Sequence, residues 1–576
     1  MNRNISIIGF ALLLLFATTM FAQTGEGETS YSLWLGGHYT DFKDNANKVG
    51  EYKLQSDKFF PEFKLNYYSQ TGSSVFRLDA DYFDYENVNG RLKTKVGDKF
   101  KAEFSYRSLS KNSGMDLLEN METRELVGAN PGGKIITHEF LDDITEFSIH
   151  RQEISSKAEL LLSRKNDVRL ITAHRMIRES GNAQETGSTH CFSCHLGSQS
   201  VAVDKQTNSF KAGLEGKVYA QKLAYTFGYR KFESKAPDAY FMYDDARHPV
   251  NGGAGAEFGS RVNYEDESLP IGSYPETEKL SHKVSSKGKL GSGHYAAAFI
   301  YSRVENKKVN FTNTSLVSEV YNGKVNYTAP LSPSMRLVSK LGFGKINKTD
   351  PFIDLAPFRE GRSGYEVLPS FDITRYSALD RTTFDGSAEL IKRMNPKMTL
   401  AFLAGYKQVS RSDYPIIDGD NSSKTMTGQL KFKYRQGLKY SIRAKYRFEK
   451  TSDPFTSARG LFERRGREEL AVPSGFIYYY QREDLRYQSI TSTPTDKHEL
   501  DFNLAYRASS QLNLTAGFKV EYDKNGDLDS LDVKHSMFQP NLNLTITPNS
   551  EWIIASGYMY NQSKSRGPIT IALFDG

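Results

Sequence analysis

Along most of the chain, apolar and polar positions alternate one by one over runs of about ten residues. In 512–522, Leu512, Leu514, Ala516, Phe518, Val520 and Tyr522 alternate with Asn513, Thr515, Gly517, Lys519 and Glu521. In 440–448, Tyr440, Ile442, Ala444, Tyr446 and Phe448 alternate with Ser441, Arg443, Lys445 and Arg447. The same pattern runs through Phe76, Leu78, Ala80 and Tyr82, through Leu223, Tyr225, Phe227 and Tyr229, and through Leu400, Phe402, Ala404 and Tyr406. It returns in Phe502, Leu504 and Tyr506 and in Leu542, Leu544 and Ile546. A period of two predicts strands with one apolar and one wet face, whereas a helix would spread these charges around its circumference.

The links between these runs alternate in length. Short, turn-forming links fall at Gln70–Ser73, Gly97–Asp98, Lys165–Asp167, Gly291–Gly293, Ser332–Ser334, Asn395–Lys397, Gln436–Gly437, Ser509–Gln511 and Pro548–Ser550. Gly, Pro, Asn and Ser supply the dihedrals that tight reversals need. Longer polar stretches lie at about 109–144, 179–208, 235–277, 346–381, 408–423, 451–496 and 524–533. Short periplasmic turns opposite long extracellular loops are the topology of outer-membrane barrels. The expected fold is all-β, a large transmembrane antiparallel β-barrel of about 20–26 strands occupying residues 23–576, and a direct count gives about 20 to 22. Trp552, Ile554, Tyr558 and Tyr560 form a strand rising toward the loop side, so closure needs a descending partner. Either Ile569, Ile571 and Leu573 supply it, or the C-terminus is incomplete at Gly576.

Composition and the N-terminus agree with this fold. Arg3 followed by an apolar run from Ile5 to Phe21, with Ala22 before a plausible cleavage point, reads as a signal peptide over residues 1–22. The expected address is the cell outer membrane. Aromatic residues make up 12%, with 34 Tyr and 36 Phe, although the mean hydropathy is only -0.55. Aromatic girdles around a polar lumen give that combination. The net charge of +7, from 75 basic and 68 acidic residues, does not point to nucleic acid as a partner. Inward positions such as Arg443, Lys445, Arg447, Arg77, Asp79 and Asp81 are charged, so the lumen holds something polar: water, a plug or another protein.

One motif is chemically sharp. The chain's two cysteines stand together in Thr189-His190-Cys191-Phe192-Ser193-Cys194-His195. C-x-x-C-H is the attachment pattern of a c-type haem: Cys191 and Cys194 form thioethers to the porphyrin, and His195 ligates the iron. A loop disulfide, a zinc site using Cys191, Cys194 and His195 or His190, and a thiol-redox pair are the other readings of these residues. His174 is the candidate distal ligand, ahead of His190, His150 and His248. A single haem c cannot relay electrons across a bilayer core of about 25–30 Å. The rest of a transmembrane wire therefore has to come from another protein.

The signal peptide, the many Tyr- and Phe-rich strands, the alternating turns and loops and the residues around Thr189–His195 and Phe210–Phe232 resemble the MtrB/PioB-type barrels of porin–cytochrome conduits. That resemblance implies a non-enzymatic sheath for extracellular electron transfer, housing a periplasmic multihaem c-type cytochrome in its lumen, surrounded by outer-membrane lipid. An outer-surface cytochrome is a further candidate partner. Two features depart from the family: residues 23–60 contain no cysteine, and a haem-type motif within the barrel is not general among sheath proteins. The alternative expectation is a general or solute-selective diffusion porin with a loop disulfide. Asp238, Asp244 and Asp245 with the Asn251–Gly255 stretch, and the Arg459, Arg464, Arg465 and Arg467 cluster, read as solvated loops. No catalytic Ser/His/Asp order or phosphate loop is recognisable, and the chain is not expected to be an enzyme.

Overall fold

The computed structural model describes residues 27–39, 59–113, 135–140, 147–188, 193–243, 267–308, 315–353, 358–359, 367–368, 373–375, 380–411, 422–452, 462–464, 494–526 and 533–567. None of these is helical. The first strands are β1 (Glu28–Tyr39), β2 (Phe59–Thr71), β3 (Ser74–Tyr82), β4 (Val88–Val96), β5 (Phe100–Ser113), β6 (Ile135–Phe140), β7 (Phe147–Ser163) and β8 (Val168–Ser188). They are followed by β9 (Ser193–Val218), β10 (Gln221–Ser234), β11 (Ala239–Tyr243), β12 (Glu267–Gly272), β13 (Thr277–Leu290), β14 (Gly293–Asn306), β15 (Leu316–Ser332) and β16 (Met335–Lys348). Four short strands lie in the next connection: β17 (Phe352–Ile353), β18 (Phe358–Arg359), β19 (Val367–Leu368) and β20 (Ile373–Arg375). The sheet resumes with β21 (Arg381–Asn395), β22 (Met398–Ser410), β23 (Ser422–Gln436) and β24 (Tyr440–Ser452), and β25 (Phe462–Arg464) is again short. It ends with β26 (Asp496–Arg507), β27 (Leu512–Lys524), β28 (Lys534–Ile546), β29 (Ile554–Met559) and β30 (Gln562–Arg566).

Twenty-three of these strands form one sheet. All its neighbours are antiparallel except β6, which joins β9 in parallel. β29 and β30 pair with β28 in a single register, Met559 opposite Asn541 and Gln562 opposite Phe538. They are one pass interrupted beside Pro540, which accepts from the Tyr560 N–H but has no N–H to return. Leaving out β6 and merging β29 with β30 gives 21 consecutive antiparallel passes, inside the expected range. Among the described residues β1 pairs only with β2, and β29 and β30 only with β28. Ile569, Ile571 and Leu573, expected to close that seam, lie outside the described residues, as does the signal segment 1–22.

All nine expected short turns join consecutive strands. Gly72, Gly97, Gly291 and Gly437 hold φ of +57°, +54°, +60° and +54° there, the left-handed region that glycine enters without penalty. A tenth turn, between β9 and β10, carries Tyr219 at φ +54° and fully exposed. It has none of the usual turn residues, so composition could not reveal it.

The registers carry one apolar face around the sheet. A single belt runs Leu214, Tyr225, Val284, Phe299, Gly323, Phe343 and Phe384 across successive strands. Its large members are exposed, Val284 at 51% and Phe384 at 48%, the reverse of a water-soluble core. Such a belt is stable only against hydrocarbon. Two histidines on this face are capped by phenols, with His282 Nδ1 2.9 Å from Tyr225 Oη and His498 Nδ1 2.8 Å from Tyr446 Oη. Those bonds offset the cost of placing an imidazole on an apolar face.

Candidate functional site

The C-x-x-C-H segment sits at the end of the sheet's longest hairpin. β8 has 21 residues and β9 has 26, against 13 or 14 for most passes. About ten suffice to cross a bilayer core. Since β8 rises from the short turn at Lys165–Asp167, its far end belongs to the long-loop rim. The stretch 179–208, expected as a loop, is corrected here: it is mostly β-hairpin, with β8–β9 pairing unbroken to Ser188 opposite Leu196. Apolar exposure on this face ends near Met176 and Phe210, after which Arg178 and Asp204 form an ion pair at 3.1 Å. From that level the hairpin continues ten residues to Ser188, about 33 Å of strand.

Gly181 marks where this extension leaves the sheet. It faces Ile149, the last rung shared by β7 and β8. Its φ is +147°, and a Cβ there would lie 1.8 Å from the Ser148 carbonyl oxygen. No side chain fits. Beyond it, β8 and β9 pair with each other, and β6 adds to the end of β9 with Ile136 opposite Cys194 and Thr137 opposite His195. The β10–β13 connection also touches the extension, where the Gln199 side-chain amide donates to the Tyr240 carbonyl.

The predicted site residues are only partly brought together. Cys191 and His190 lie outside the described residues, and Cys194 and His195 are placed by backbone register in β9. His174 does not belong with them. It stands opposite Ser156 and Phe210, on the apolar face rather than inward, fourteen residues before Ser188 and so about 46 Å away along the strand. That removes it as a distal ligand. His150 is eight rungs short of Ser188, opposite Ser110 and Ser180. Burial pushes its imidazole below the ordinary histidine range, with Asp84 pulling the other way, and its Nδ1 has no partner among the described residues. His248 is not among the described residues.

The histidine nearest in register is His138, opposite Leu196 and one rung beyond His195; because successive strand residues alternate faces, it falls on the other face from His195 and is not placed to share one iron. Sequence reasoning had no signal for it. It lies in another connection, more than fifty residues away, and only the parallel addition of β6 joins the two. Of the solvated acidic group, Asp238 is held by Lys308 Nζ at 2.6 Å, while Asp244, Asp245 and 251–255 lie outside the described residues. So do Arg459, Arg465 and Arg467; Arg464 stands in β25, opposite Ile373 of β20.

The face opposite the belt is charged, and two stretches of it differ. On β7–β10, acids and bases interlock: Arg175 Nε to Glu153 at 2.7 Å, Arg151 to Glu179 at 2.5 Å, Arg169 Nε to Asp167 at 2.8 Å and Lys222 Nζ to Glu215 at 2.9 Å, with Arg169 also on Glu159. On β13–β16 the same face carries Lys279, Lys283, Lys287, Lys289, Lys324, Arg336, Lys340 and Lys348, and no carboxylate.

A 21-pass antiparallel sheet with an exposed apolar belt and a charged opposite face is a membrane-spanning β-barrel of the outer-membrane type, and the chain resides there. No protein-family model matches the chain, and no curated protein matches it in sequence. Among solved structures it is similar to the FrpB iron transporter of Neisseria meningitidis (F3-3 variant), with 9% identity and TM-score 0.41, covering 96% of this chain and 80% of that one. It is also similar to the copper transporter OprC, with 10% identity and TM-score 0.42, and to the siderophore receptor PirA of Acinetobacter baumannii, with 10% identity and TM-score 0.40. Each of these two matches covers 93% of this chain and 74% of the other. At such identity and score, nothing those proteins transport carries over to this chain.

Proposed function

We propose that the chain is the sheath of an outer-membrane electron conduit, enclosing a multihaem c-type cytochrome and presenting one haem c of its own at the loop rim. What supports the reading is the C-x-x-C-H sequence Cys191-Phe192-Ser193-Cys194-His195 in the stretch that follows the last antiparallel rung of β8 and β9, Ser188 opposite Leu196, in a sheet whose inner face carries many charged residues. The donor set suits the group: two thiols three positions apart and the next residue an imidazole, all within the connection beyond the last antiparallel rung. Cys191 and Cys194 would hold the porphyrin and His195 the iron, supplying one-electron transfer at that rim. A haem there lies beyond the hydrocarbon layer, so it serves as a terminal step toward an outside acceptor or outer-surface cytochrome. The chain itself performs no catalysis in this reading.

Haem staining of the denatured chain, purified from a host that matures c-type cytochromes, is the test. A stained band at the mass of the barrel, lost in Cys191→Ala/Cys194→Ala, is expected. An unstained band would overturn the haem assignment. His195→Ala should change the absorption spectrum of the stained chain, and His174→Ala and His138→Ala should leave it unchanged. A diffusion porin with a Cys191–Cys194 disulfide is the competing reading, favoured by the same polar lumen. Purified barrel that leaks small solutes, binds no cytochrome and takes up two thiol equivalents on reduction would support it.

A further inference from the structure

The inner face of β13–β16 is unlike the rest of the lumen. Lys279, Lys283 and Lys287 stand on every second inward position of β13, a stripe eight residues long, or about 27 Å. That length matches the apolar band of an outer-membrane barrel, about 25 Å tall. Lys324 and Lys340 extend the charge sideways, Lys340 sharing a rung sequence with Lys287 through Ala296 and Asn326. None of these five makes an ion pair with a described residue. The acids of the same strands, Glu278, Glu305 and Glu319, lie on the opposite face near the loop rim, where they engage Tyr229, Lys307 and Tyr301. Along the Lys279–Lys287 stripe the neighbouring inward positions include the short Ser281, Ser285, Ala296 and Ala298, with Ile300 opposite Lys283, while at the far edge of the wall the Asp385 carboxylate of β21 lies over Gly342.

Uncompensated like charges on neighbouring strands repel, and a self-contained wall would be expected to interlock as β7–β10 does. Lys279, Lys283 and Lys287, at the side of the wall away from Asp385, face the lumen without an ionic partner among the described residues. We infer that β13–β16 form a docking surface for an acidic face of the protein inside the barrel, and that this contact fixes the rotation of that protein about the barrel axis. The inference rests on the sheath reading above and adds to it the chemistry of the contact. An extended row of amines facing carboxylates steers and orients a partner more than it adds raw affinity, and it weakens with salt.

The test uses the full-length barrel, tagged and purified in detergent with whatever haem protein accompanies it, the partner measured as haem absorbance per barrel. Lys279→Glu/Lys283→Glu/Lys287→Glu should lower retention about tenfold, while the triple Lys→Arg variant retains the partner. Heat-modifiable gel migration checks that each barrel is folded. If the reversal variant does not fold, a salt titration of the unmodified complex gives the answer: retention must fall with ionic strength, and less steeply in the triple Lys→Gln variant. Unchanged retention in a folded reversal variant, or a salt-independent complex, overturns the docking surface and leaves the sheath reading standing. An unmodified barrel that carries no haem protein overturns both. A wall that serves only dissolved anions would show itself as lost anion selectivity of the reversal variant with partner retention intact, which also overturns the inference.

Discussion

The walls β7–β10 and β13–β16 share a register pattern, an apolar belt and a lipid environment, yet they treat charge oppositely. The first pairs most of its charge across strands, with Glu153 between Arg151 and Arg175 and Glu159 between Lys101 of β5 and Arg169, and leaves Lys157, Lys211 and Arg230 without an ion pair among the described residues. The second has no inward carboxylate on its own strands, and the Asp385 carboxylate of β21 reaches only its edge, over Gly342. The paired wall also carries the long hairpin upward. The contrast teaches that inward charge in this barrel has two uses. Where the sheet holds a projecting element, charge is spent on cross-strand rigidity; on β13–β16 it is left available, which is what the proposed docking surface requires.

Four substitutions sharpen or break that contrast, in order of expected effect. Gly181→Ala, at the top of the paired wall, forces a Cβ into the Ser148 carbonyl and should cost about 1–3 kcal/mol locally. Hydrogen exchange of 182–204 should accelerate while β13–β16 stays protected; unchanged exchange would show that the extension does not depend on this kink. Glu159→Gln removes the acceptor shared by Arg169 and Lys101 and should lower resistance to urea by about 1 kcal/mol, because these side chains are half-buried and closely paired. An equal loss from Lys283→Gln would erase the distinction between the walls. Ser285→Asp sets a carboxylate between Lys283 and Lys287 and should raise the stability of the empty barrel by up to about 0.5 kcal/mol at low salt, with the gain vanishing at high salt. Stability that drops instead would mean those amines are already compensated.

The smallest effect falls on the short turn. The hydrogen bond from Arg169 holds the Asp167 carboxyl below the usual carboxylate range. A depressed folded value adds stability above the unfolded one, and that contribution disappears as pH falls through the folded value. Asp167→Asn keeps a residue tolerant of φ +47° and should flatten stability against pH below about 4, leaving it unaltered at neutrality. A titration curve identical to the parent would remove this turn from the paired network.

The transmembrane part was legible because lipid imposes it. Each pass must be apolar on alternate residues, so Leu512–Tyr522 or Tyr440–Phe448 identify themselves and their faces. The glycine turns followed for the same local reason. The hairpin extension was not legible: beyond Met176 neither face of β8 meets hydrocarbon, so Gly181–Ser188 shows no periodicity and reads as loop. β6 and His138 were hidden because parallel addition to β9 is a long-range event with no local signature. His174 misled because a histidine on a strand near the motif looks close in sequence, whereas a strand carries each residue about 3.3 Å further away.

The central claim, a polar lumen filled by an electron carrier, is tested most directly in liposomes holding a redox dye and bearing the purified barrel with its haem protein. A membrane-impermeant reductant outside should bleach the dye only when both proteins are present, with no leakage of the dye itself. Leakage from the complex, or bleaching no faster than with bare lipid, would contradict the account.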